Sequence, residues 1–122
     1  MVSEKTLDDI WSEMPQRRLF VGDYSKAGPP KYRAVSVDTL LSLAPFILME
    51  IDPGEDGEDV EAVTWWPGGM VSADHQRGPP MSPELMFLEV KLLTALNGME
   101  RVAVTMAPEL EWDSTWAELV AD

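Results

Sequence analysis

Phe46-Ile47-Leu48-Met49-Glu50-Ile51 is the stretch on which the fold turns. It is nearly continuous in apolar residues, the pattern of a strand covered on both faces rather than one with a solvent side. Pro53-Gly54 and Asp56-Gly57 then supply turn formers. Residues 60–66 alternate in part and are expected to return antiparallel to the first strand as a hairpin.

Working outward from that hairpin, residues 39–43 read as a short helix capped by Asp38 and stopped by Pro45. Residues 32–37 and 19–21 read as strands, with a turn-rich stretch at 22–30 between them. Thr6 or Ser3 can cap a first helix whose apolar positions Leu7, Ile10, Trp11 and Met14 share one face, and Pro15 ends it. Downstream, residues 67–80 form a loop long enough to suggest function or mobility. Gly-Pro-Pro occurs at 28–30 and again at 78–80, with flanks too different for an internal repeat.

The longest helix follows that loop. Ser82 sits at its N-cap, Pro83 at its first position and Glu84 in its first turn, while Asn97-Gly98 closes it. Leu85, Leu88, Leu92 and Leu96 fall on one stripe, widened by Met86, Val90 and Leu93, so most of the helix is expected to be buried. Residues 101–106 read as a strand. Residues 114–120 read as a final amphipathic helix, with Trp112, Trp116 and Leu119 on one face and Glu111, Thr115, Glu118 and Asp122 on another.

These elements describe an α+β fold: a single domain over 1–122, with a mainly antiparallel sheet of about five strands and helices packed on at least one face. Mobile loops are expected near 22–30, 52–61 and 67–80. With 122 residues, 45% apolar composition and five Trp, the chain can build one core, which sets it apart from a disordered acidic chain. It has no Cys, which excludes disulfides and thiolate metal sites. The N-terminus lacks a signal-peptide pattern, and the longest apolar run, residues 44–49, is too short to span a bilayer. A cytoplasmic protein without membrane contact is expected.

Charge is sorted along the chain. Residues 1–33 hold six basic groups against five acids, a net of +1; residues 34–122 hold seventeen acids against Arg77, Lys91 and Arg101, a net of −14. The steepest point is Asp52, Glu55, Asp56, Glu58, Asp59 and Glu61, without a cation among them. Such a field repels nucleic acid and anionic membranes and steers toward basic surfaces. The run fails as an EF-hand: counted from Asp52, the third position is Gly54 and the twelfth Val63, where ligands are required. No cofactor fingerprint is present, and no metal or cofactor is expected.

Trp65-Trp66 follows directly. Neighbouring strand residues point to opposite faces, so at most one indole faces the core and the other lies on the opposite sheet face, either covered by a second helix layer or exposed as an anchor. The partner-binding candidates are therefore Asp52, Glu55, Asp56, Glu58, Asp59, Glu61, Trp65 and Trp66. The favoured reading is a stoichiometric inhibitor, monomeric or homodimeric alone, that covers a basic, nucleic-acid-binding surface of another protein. Toxin-immunity and phage-encoded anti-defence proteins share that charge and size. The alternatives are an assembly subunit of a homo-oligomer or virion, and a small enzyme using His75, the only histidine. No catalytic residue is assigned.

Overall fold

The computed structural model describes residues 12–24, 30–43, 46–54, 59–65, 80–113 and 115–120. A 3-10 turn at Met14–Gln16 leads into β1 (Arg18–Asp23). Then come β2 (Lys31–Ala34), α1 (Val37–Ser42), β3 (Ile47–Pro53) and β4 (Val60–Trp65). The chain finishes with α2 (Pro83–Asn97), β5 (Arg101–Met106) and β6 (Glu118–Leu119). The six strands form one mixed sheet in the order β4-β3-β5-β1-β2-β6. Pairings β3–β4, β1–β5 and β1–β2 are antiparallel, while β3–β5 and β2–β6 are parallel. The fold is thus a single-domain α+β arrangement with a mostly antiparallel sheet, one strand larger than expected.

Both faces of the sheet are covered, which is why Ile47 to Ile51 are all buried. On one face α2 places Met86, Phe87 and Val90 against Ile47, Met49, Ile51, Val102 and Val104. On the other, Leu40 of α1 and Met14 cover Leu48, Val63, Trp65 and Ala103. The N-cap of α1 is Ser36 rather than Asp38, with its hydroxyl accepting from the Thr39 N–H at 3.2 Å. The ends of α2 follow the expected chemistry. Ser82 caps its start, and Gly98 adopts φ of 65°, a left-handed conformation that only a residue without Cβ takes freely. Met81 exchanges both backbone hydrogen bonds with Ala62, which covers the outer edge of β4 and fixes where α2 begins.

The expected C-terminal helix also needs correction: residues 115–120 are not helical. Asp113 Oδ1 accepts from both the Thr115 N–H (2.9 Å) and the Thr115 hydroxyl (2.8 Å), a local bond that competes with helix formation. The chain then turns, Trp112 Nε1 donates to the Ala117 carbonyl at 3.0 Å, and β6 adds parallel to β2. Trp112 and Trp116 close an aromatic cluster with Phe20, Tyr32 and Phe87, at centroid separations of 4.7 to 5.8 Å. Beside the expected loops, strands run through Asp23 and Pro53 and resume at Lys31 and Val60. Most of the expected first helix, with Leu7, Ile10 and Trp11, lies outside the described residues, as does 67–79.

Tyr32 is fully buried, and its ring lies over Gly22, its cross-strand partner. A Cβ built on Gly22 would stand 2.5 to 2.7 Å from three carbons of that ring. Tyr32 cannot retreat, because Phe87 and Trp112 hold it and its hydroxyl bonds Tyr24 at 2.6 Å. Gly22→Ala should cost about 1–3 kcal/mol by overpacking, read as a lowered urea midpoint at unchanged m-value. An unchanged midpoint would refute this account of the glycine.

Among the described residues no helix is long and apolar enough to cross a membrane.

Candidate partner-binding surface

Of the eight candidates, Asp52, Asp59, Glu61 and Trp65 are among the described residues. Glu55, Asp56, Glu58 and Trp66 lie outside the described residues, as does His75. Trp65 is 2% exposed, packed among Val63, Leu48 and Phe46, so it belongs to the core and is no anchor for a partner. Its Nε1 donates to Glu50 Oε1 at 3.1 Å, which satisfies the one polar atom of a buried indole.

Asp52 is likewise committed within the protein. Positions 50 and 52 of β3 share a face, and Arg17 reaches across to them. Its guanidinium donates to Asp52 Oδ1 (2.8 Å), Thr105 Oγ1 (2.6 Å) and the carbonyls of Ile51 and Thr105 (both 3.1 Å). The Arg17 side chain is 8% exposed. Burial pushes the Asp52 carboxyl above its ordinary value, Arg17 pulls it back, and Glu50 beside it pushes it up again. The raised value means that folding favours the protonated form. That contribution is complete below the ordinary carboxylate pKa and is lost as pH rises through the raised one. Thermal stability should therefore rise as pH falls from neutrality into the carboxylate range, and Asp52→Asn should flatten that rise. Parallel slopes for the two proteins would exclude Asp52 as the titrating group.

The remaining candidates, Asp59 and Glu61, are exposed. They line a cavity of about 470 Å³ together with Glu84, Asp113 and Trp116, at the N-terminal end of α2. The hydrogen bonds from Thr115 hold the Asp113 carboxyl below its usual range, so it stays charged. No cation among the described residues lines this cavity. Among the described residues no group of three or more carboxylates or imidazoles is arranged to hold a metal ion.

The largest departure from expectation is on α2 itself. Leu85, Leu88, Leu92 and Leu96 are 58%, 65%, 61% and 80% exposed. The helix is apolar on two opposed stripes, and the sheet takes the other one: Met86, Phe87 and Val90, with Thr94 also buried. At 100° per residue the four leucines centre on the side diametrically opposite that buried stripe. Periodicity alone favours the leucine stripe. What decides against it is the aromatic cluster, which requires Phe87 to point inward at Tyr32, Trp112 and Trp116. Beside the ridge lies a second cavity of about 310 Å³, lined by Tyr24, Phe87, Leu88, Lys91 and Trp116. Glu84 and Trp116 border both cavities. Ridge, groove and acidic cavity are therefore one continuous surface.

Scattered exposed leucines are ordinary, but a contiguous apolar stripe on a charged protein marks an interaction site. Full burial of a leucine is worth about 1.5–3 kcal/mol, so covering four that are already one-fifth to two-fifths buried would contribute about 4–8 kcal/mol.

The chain matches no protein-family model, no curated protein and no solved structure.

Proposed function

We propose that the protein is a stoichiometric protein-binding module that docks a basic partner on the outer face of α2. The observation that carries this reading is the exposed leucine stripe, a large apolar area that none of the described elements covers. The acids at one end of the stripe, Glu84 and Asp113 with Asp59 nearby, favour a partner whose apolar contact is bordered by Lys or Arg. The net charge of −13 points the same way and gives such a partner a fast, salt-sensitive association. Covering a basic surface on that partner, as an inhibitor of a nucleic-acid-binding protein would, is the most specific function consistent with this chemistry.

Assembly of identical copies is the second reading, since an apolar stripe can also pair with itself. Two chains of charge −13 repel each other, which favours a heterologous, cationic partner. Light scattering on the isolated protein separates the two. A concentration-independent higher oligomer would support assembly. A monomer that takes up one basic protein per chain at low salt, and loses it as salt rises, would support the binding module.

A further inference from the structure

We infer that a second site, on the sheet face opposite α2, binds a small oxyanion carried on an apolar stem. A cavity of about 330 Å³ opens there over β1, β2 and β5, lined by Lys31, Arg33 and Arg101, with Asp23 the only acid among the described lining residues. Three of the nine basic residues of a chain with twenty-two acids thus converge on one hollow.

The register shows which of these charges the fold itself accounts for. Arg101, Asp23, Lys31 and Glu118 lie side by side on β5, β1, β2 and β6, a row of alternating sign. Lys31 Nζ stands 3.9 Å from a Glu118 carboxylate oxygen. Arg33 lies outside that row, opposite Val21, and is the cation in excess. Its guanidinium makes no hydrogen bond or ion pair among the described residues. Among those residues the Arg101 side chain makes a single long bond, from a terminal guanidinium nitrogen to the Leu43 carbonyl at 3.4 Å. Arg17 is the contrast within the same protein: a structural arginine, nearly buried, with four bonds. Two guanidinium forks with unused donors, and an ammonium beside them, match the paired oxygens of a carboxylate or phosphate.

The rest of the lining describes the stem. Val21, Leu43 and Val120 supply apolar walls, and the volume is at the small end of ligand pockets. A ligand of few heavy atoms, with an anionic head and a short aliphatic body, fits that lining. The site is separate from the leucine ridge, so it stands or falls independently of the partner.

The test is an NMR titration of the full chain at constant ionic strength with three probes: sodium phosphate, acetate and hexanoate. The expected result is saturable shifts of backbone amides at 21–23, 31–33 and 101. Hexanoate should bind more tightly than acetate, and Arg33→Gln should weaken binding at least about tenfold while the melting temperature holds. Phosphate binding more tightly than hexanoate would assign a phosphoryl head, and the reverse a carboxylate. Shifts that stay linear with all three probes would overturn the proposal. So would saturation that Arg33→Gln leaves unchanged, or that maps elsewhere.

Discussion

Replacing Arg17 with methionine is expected to lower the unfolding free energy by about 3–5 kcal/mol. Arg17 neutralises Asp52, which neighbours Glu50, a buried residue on the same strand face. Without the guanidinium, Asp52 Oδ1, Thr105 Oγ1 and two carbonyls lose a donor together, and two neighbouring carboxylates face each other in a poorly solvated site. A domain of this size has about 5–15 kcal/mol of stability, so the loss should be visible as a large fall in urea midpoint. The mechanism has its own check. In a Glu50→Gln, Asp52→Asn background the same substitution should cost much less, because no carboxylate is left unneutralised and Gln still offers Trp65 Nε1 an acceptor. Equal costs in both backgrounds would mean that Arg17 acts by packing alone.

The second large effect is on binding and should leave the fold untouched. Leu88→Gln with Leu92→Gln removes two exposed leucines without changing charge, and glutamine is nearly as good a helix former. Surface substitutions of this kind change stability by no more than about 0.5 kcal/mol each. If a partner buries the stripe, losing about 1.5 kcal/mol per leucine should weaken the complex at least about a hundredfold. Asp59→Asn with Glu61→Gln should act differently, chiefly reducing the association rate and its salt dependence. A double-glutamine variant that unfolds would show that the stripe packs inside the protein.

How far the sequence reveals this molecule differs from element to element. The central strand at 46–51, its antiparallel partner and both ends of α2 are legible, because each depends on local rules: an apolar run, turn residues, Ser82 as cap and Gly98 as closure. The C-terminal segment is not, since Trp112 and Trp116 at helical spacing also serve a turn in which Asp113 bonds Thr115. The Arg17 network joins residues up to 88 positions apart, which no local pattern shows. For the binding surface, the acidic residues were visible but their different fates were not. Asp52 is paired with Arg17, whereas its cross-strand neighbour Glu61 and the nearby Asp59 are exposed. The leucine stripe was visible too, with its direction reversed. A helix apolar on two stripes leaves that direction open, and only the tertiary position of Phe87 resolves it.

The most direct test is photo-crosslinking in the cells that produce the protein, with a benzophenone amino acid placed at position 88 or 92 and, as a control, at position 43 on the opposite face. The account predicts one dominant adduct from 88 and 92, containing a basic protein in equimolar amount, and none of it from 43. An adduct between two copies of the chain, or the same adduct from 43 as from the α2 positions, would contradict it.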